Sequence, residues 1–333
     1  MCDPACGSGN FLTETYISLR RLENKVLSEL SSQTMLDVVS DASPLKVSLD
    51  QFYGIEINDF AVSVANTALW IAQLQANIET QTIITSDIID LPLSGAATIH
   101  HANALEVDWS TVIEPSACDY IIGNPPFLGA RNQSTTQKAE LKEVFDGARN
   151  VGSVDYVSGW FIKAANYIGD FPIRCAFVAT NSICQGEQVA NIWCPIYQTG
   201  VRIGFAHNTF RWSNEAADAA HVFCVIVGFS KQGDPKRLYH YTTPDSQPEL
   251  QHPEQLNEYL AGAPDVFVWN RRTSLCSVPA IGIGSQPIGG GNYLFTPKKR
   301  RSFLPTNRKQ GPIFTGGTVR RNLLRVLSAG CCG

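Results

Sequence analysis

The 333-residue chain has no run of about 18 uninterrupted apolar residues, so no segment reads as a membrane-spanning helix. It begins without a basic segment leading into an apolar stretch, and the expectation is a cytoplasmic protein with no membrane contact. Its ten cysteines form no CxxC pair matched by a second pair at zinc-finger spacing, and its six histidines form no HExxH or HxH. No metal is therefore expected, and the thiols read as buried and free. His100 and His101 are neighbours, but in a strand they point to opposite faces. No internal repeat is present.

Acidic residues are missing altogether from 298–333, a segment with nine Lys or Arg: Lys298, Lys299, Arg300, Arg301, Arg308, Lys309, Arg320, Arg321 and Arg325. This leaves 17 of the 26 basic residues against all 30 acidic ones in residues 1–297. The body is acidic and the tail is a different kind of sequence.

What is present is an alternation of strand and helix patterns. Apolar residues recur at helical spacing from Asn10 to Leu30. The segment 51–57 reads as a short buried strand, and Asn58 or Asp59 caps a helix running to about Gln75. Strands are expected at 98–101, 119–122, 174–179 and 201–206, with a last one at 221–229 after a loop; helices are expected at 156–168 and 188–197. Such an order implies an α/β fold with a mainly parallel sheet, helices on both faces and an antiparallel last strand. From Ser230 onward Pro235, Pro244, Pro248, Pro253 and Pro264 interrupt any long element. The expected organisation is a core at 1–230, a linker and the start of a second, partial domain at 231–297, and the basic tail at 298–333.

Two motifs carry the chemistry. The first is Asp3-Pro-Ala-Cys-Gly-Ser-Gly9, a glycine-rich turn between a strand and a helix. Gly7 and Gly9 allow a sharp turn and a close backbone approach to a ligand. The turn lacks the Gly-Lys-Ser/Thr ending of a phosphate loop, which argues against a nucleoside triphosphate. Glu56 ends the next strand, where an acid can accept from both hydroxyls of a ribose. Asn103, just past the third strand, is placed to meet an adenine edge or to form a turn. The second motif is Asn124-Pro125-Pro126-Phe127. Its prolines fix the backbone so that the Asn124 side chain and the Pro125 carbonyl face one point as acceptors for an exocyclic amine. Phe127 adds a flat surface on which an unstacked ring can lie.

The pair Asp-Pro-x-x-Gly-x-Gly and Asn-Pro-Pro-Phe resembles the DNA adenine-N6 methyltransferases. With Gly129–Ser134, Thr180–Gly186 and Phe205–Trp212, residues 2–297 are similar to the MmeI-like type IIL/IIG restriction–modification enzymes. That resemblance implies a Rossmann-like methyltransferase fold using S-adenosyl-L-methionine. Asp3, Ala5, Gly7 and Gly9 would contact the methionine end of that cofactor, Glu56 its ribose and Asn103 its adenine. It implies double-stranded DNA as partner, with the target adenine flipped out. Asn124, Pro125 and Pro126 would hold the amine, Phe127 would stack on the base, and Phe210, placed in the loop before the last strand, would be a second aromatic contact.

The full enzymes of that family carry nuclease and specificity portions beyond the core, so the expectation is a truncated fragment lacking part of its first strand. The family pattern stops at Thr296-Pro297, which makes the tail either a disordered DNA-binding arm or out-of-frame sequence, the second being favoured. Two other functions stay open: methylation of a glutamine side chain in a protein, and an inactive fragment that binds cofactor or a partner.

Overall fold

The computed structural model describes residues 1–33, 45–83, 96–148, 150–212 and 222–269, together with the strand segments 294–295, 314–321 and 325–332. Met1–Asn270 form one compact unit and Arg271–Gly333 a second.

In the first unit β1 (Cys2–Asp3) leads through the glycine turn into α1 (Asn10–Gln33). Then come β2 (Tyr53–Glu56), α2 (Asp59–Gln81), β3 (Thr98–His101), β4 (Tyr120–Gly123), α3 (Thr135–Val144) and α4 (Ser158–Ile168). The unit ends with β5 (Arg174–Thr180), α5 (Gly186–Gln198), β6 (Arg202–Trp212), β7 (Val222–Ser230), β8 (Arg237–His240) and β9 (Glu249–Gln251). Local chemistry sets several of these boundaries. Asn58 caps α2 by accepting from Ala61 N–H at 3.1 Å, and Ser134 with Gln137 forms a reciprocal capping box on α3.

The sheet order is β3-β2-β1-β4-β5-β7-β6-β8-β9. The first five strands in that order run parallel. Strand β7 is antiparallel to both β5 and β6. This is the expected Rossmann-like methyltransferase sheet with its antiparallel last strand. The chain runs outward from β1 to β3 and then returns to build β4 and β5 on the other side of β1. Right-handed crossovers in opposite directions put the helices of the two halves on opposite faces. The order reverses between β1 and β4, and a crevice forms at the carboxyl ends there.

Two apolar clusters support the sheet. One joins Leu12 and Tyr16 of α1 and Leu69 of α2 to Phe52. Tyr16 and Arg20 share a row of α1 one turn apart, and the row turns polar at Arg20, whose guanidinium donates to the Tyr16 hydroxyl and to Thr80 Oγ1. The rest of the expected apolar stripe on α1 is only partly used, since Leu19, Leu22 and Val26 are exposed. The larger cluster centres on Phe161 of α4, whose ring lies 5.3 Å from Phe177, 5.7 Å from Trp193 and 5.5 Å from Phe229. Cys2, Cys6, Cys118, Cys175, Cys184 and Cys224 are free and buried.

The short β1 is a central strand paired on both sides, with Cys2 opposite Tyr53 and Ile121. The structure departs from the sequence expectations in three places. Helix α3 has no expected counterpart, because its ten residues bury only Leu141 and show little apolar periodicity. Strand β6 runs to Trp212, so Phe210 lies on a strand and not in a loop. Residues 237–251 extend the sheet past the expected core boundary, because the outer edge of β6 accepts β8 in parallel register.

The second unit contains β10 (Leu294–Phe295), β11 (Phe314–Arg321) and β12 (Arg325–Cys332), paired antiparallel in the order β10-β12-β11. Within the basic tail, expected to be either a disordered arm or out-of-frame sequence, the described residues of 298–333 pair as a hairpin from Phe314–Cys332 to Arg321–Arg325. The short separation of these two strands favours such local antiparallel pairing.

Phe161 is fully buried among three other large rings. Phe161→Ala is expected to lower unfolding free energy by about 3–5 kcal/mol, measured by urea denaturation.

Candidate active site

The crevice at the reversal point holds a cavity of about 500 Å³, within the range of roughly 300–1,000 Å³ usual for small-ligand sites. Each expected motif sends residues to its wall: Pro4 and Ala5 from the glycine turn, Glu56 from the end of β2, Asn103 from beyond β3, and Asn124, Pro126 and Phe127 from beyond β4. Gln137 from α3, Tyr156 from the turn before α4 and Trp160 from α4 complete it.

The glycine turn is held by its neighbours. Gly7 and Gly9 have φ of +54° and +84°, a region costly for residues with a Cβ. Gly7 N–H donates to Glu56 Oε2 at 2.9 Å, and Asn58 N–H donates to Oε1 at 2.9 Å. Each Glu56 oxygen thus has one bond to the backbone and a lone pair to spare. The Trp160 indole N–H donates to the Pro4 carbonyl at 3.0 Å.

Asp3 does not line the cavity; it sits beneath the turn, 1% exposed, and its Oδ1 accepts from Ala5 N–H at 3.0 Å. A Cβ on Gly123 would lie 2.7 Å from that oxygen. Only glycine before Asn124 allows the two motifs to sit this close. Gly7 and Gly9 likewise shape the turn and are not themselves part of the cavity wall.

Asn124 and Pro126 are exposed, Pro125 is buried and Phe127 is half-buried. Among the described residues neither the Asn124 amide nor the Pro125 carbonyl has a hydrogen-bond partner. The following loop is tightly fixed. Asp155, 4% exposed, accepts from Leu128 N–H at 3.0 Å, Val157 N–H at 3.2 Å and Thr180 Oγ1 at 3.2 Å. Gln133 Nε2 donates to the Leu128 and Val154 carbonyls, each at 2.9 Å.

Phe210 is not part of this cavity wall. It pairs with Cys224, which in turn faces Thr180, so it occupies the same sheet edge two strands away. There it stacks on Tyr241 at 5.4 Å between centroids. The wall residues Tyr156 and Trp160 were absent from the sequence-derived site because they read as core positions of an apolar helix. The one available signal was Asp155, a lone carboxylate inside the apolar run 154–162. Among the described residues no group of three or more His, Cys, Asp or Glu is placed to hold a metal, and no helix is long and apolar enough to cross a membrane.

Burial and the neighbouring Glu56 raise the Asp3 pKa from 3.8 to about 7, against the opposing pull of the Ala5 N–H. Between these values the unfolded chain has released the proton that the folded chain keeps, so this group's contribution makes stability fall as pH rises. Asp3→Asn retains an acceptor for Ala5 and cannot ionise. Across pH 4 to 7 the wild-type chain is expected to lose a few kcal/mol, to order of magnitude, more than the variant, as read by urea denaturation at each pH.

Three comparisons bear on this geometry. The family model described as MmeI, DNA-methyltransferase domain, matches residues 1–240. DNA methyltransferase A of Bacillus subtilis (strain 168) is 37% identical over 297 residues, which cover 88% of this chain and 33% of that protein. The solved structure of the type IIL restriction–modification enzyme MmeI in complex with DNA is 38% identical with a TM-score of 0.89, covering 99% of this chain and 44% of that one. The chain thus spans about a third of the length of the first relative and less than half of the second.

Proposed function

The chain belongs to the MmeI DNA-methyltransferase domain family, and from that membership we propose that it transfers a methyl group from S-adenosyl-L-methionine to N6 of an adenine in double-stranded DNA, within a restriction–modification system. The observation that carries this reading is the convergence, on one cavity, of the glycine turn, Glu56, Asn124, Pro126 and Phe127, with the Asn124 amide unpartnered among the described residues.

The residues present fit the cofactor. Ala5 lies on the wall beside the turn formed with Asp3, Gly7 and Gly9, where the methionine end would rest. Glu56 keeps lone pairs for two ribose hydroxyls, and Asn103 stands on the wall for the base. When bound, S-adenosyl-L-methionine supplies a methyl group activated by a sulfonium. Everything else falls to this chain. Adenine N6 is inaccessible inside a base stack, so the target must be flipped out. Its amine donates to the Asn124 side-chain oxygen and the Pro125 carbonyl, which favours a pyramidal nitrogen and stabilises positive charge as the nitrogen–methyl bond forms, the sulfur–methyl bond breaks to leave a neutral thioether, and the surplus N6 proton is then lost to solvent. Pro126 fixes the backbone after Pro125. Phe127 gives the ring a surface to stack on, and Phe210, on the same sheet edge, is a second candidate for contact with the extruded base. Fixed placement of the amine supplies much of the acceleration. We assign this chemistry to the core at residues 1–230, and nuclease or specificity functions to portions outside it.

Purified protein incubated with methyl-labelled cofactor is expected to label duplex DNA at adenine N6. Label in a protein extract instead, or in neither, overturns the reading. Asn124→Ala is expected to cut transfer at least about 100-fold while the cofactor dissociation constant, from calorimetry, changes by less than about threefold.

A further inference from the structure

Asn103 stands on the cavity wall with its amide already engaged on two sides. Its Oδ1 accepts from Leu105 N–H at 3.0 Å, and its Nδ2 donates to Glu140 Oε1 at 3.0 Å. The backbone N–H can only donate and the carboxylate here accepts, so the two neighbours permit one orientation of the amide. Glu140 is held in turn by Tyr156, whose hydroxyl donates to its other oxygen. The Asn103 oxygen is turned back on its own loop towards Leu105. The second hydrogen on Nδ2 has no partner among the described residues.

A purine edge offers both kinds of group: its ring nitrogens accept and its exocyclic amine donates. An Asn103 locked in this orientation suits the former. We infer that Asn103 reads the cofactor's base as a donor to a ring nitrogen, and that Glu140 is the positioning residue that sets this polarity. The inference rests on the cofactor reading above. It makes Asn103→Asp a severe change despite its equal size, because Asp has no N–H to give and sets a second carboxylate against Glu140.

Calorimetry with S-adenosylhomocysteine and with analogues carrying CH in place of ring nitrogen 1, 3 or 7 tests this without turnover. The unaltered chain is expected to bind the parent compound and to bind one of the three analogues about tenfold more weakly. Asn103→Asp is expected to bind the parent about tenfold more weakly and to lose discrimination against that analogue. Glu140→Gln, which can still accept from Nδ2, is expected to keep the discrimination, and Glu140→Leu to reduce it. Equal affinity for all the compounds in the unaltered chain overturns the inference, as does undiminished binding of the parent by a folded Asn103→Asp. No binding of the parent at all overturns the cofactor reading itself, and is distinguished by that result.

Discussion

The site depends first on a buried side-chain carboxyl that, among the described residues, has no ion pair. Asp155 collects Leu128 N–H, Val157 N–H and the Thr180 hydroxyl, three donors from the loop after Phe127, the start of α4 and the end of β5. Hydrogen bonds of this kind satisfy a buried polar group without an ion pair. The bond to Leu128 also fixes the exit of the loop whose entrance is Gly123. An Asn-Pro-Pro turn anchored at both ends is held in place without any bond, among the described residues, to the Asn124 amide or the Pro125 carbonyl.

The same helix fixes the other walls. Tyr156, Trp160, Lys163 and Tyr167 recur at the spacing of one helical face, and each reaches a different segment. Tyr156 holds Glu140, and through it Asn103. Trp160 holds the Pro4 carbonyl. Lys163 donates to the Leu105 and Val107 carbonyls, and Tyr167 to the Ile113 carbonyl. Apolar packing of Phe161 and Ala164 against the sheet sets the position of this polar row, so core energetics pass directly into the geometry of the cavity. The burial that lowers the Lys163 pKa is accepted where the ammonium closes a turn adjoining the site.

Much of this was legible in the sequence, because the parallel-sheet fold puts function at strand ends and strand ends carry short-range signals. Glycines, a terminal acid and an Asn-Pro-Pro turn are local features, and Glu56 and Asn124 reach the cavity as their positions implied. Glu140 was not legible, and Asp155 showed only as a lone acid in an apolar run. Their bonds to Asn103 and Leu128 span 37 and 27 positions, and no short-range pattern marks those partners. Helix α3 was missed for a related reason: it buries one leucine, so its surface pattern has no apolar period to detect. Phe210 was misplaced because β6 continues past the apolar segment 201–206 into His207-Asn208-Thr209, where the polar residues find partners on neighbouring strands and loops.

Four hydrogen bonds hold the glycine turn that follows β1. Cys6 N–H donates to the Ile55 carbonyl at 3.2 Å, Gly7 N–H to Glu56, Trp160 to Pro4, and Asp3 receives Ala5 N–H beneath them. Three of these bonds come from elements that carry their own cavity-lining residues. Movement of the turn is therefore coupled to Glu56 and to α4, and the glycine turn and the Asn124-Pro-Pro-Phe127 loop share one frame. The closeness of Gly123 to Asp3 tightens that coupling further, and it explains why burial draws the Asp3 carboxyl towards its neutral form: a second full negative charge beside Glu56, roofed by the turn and out of reach of water, would work against the packing that brings the two motifs together.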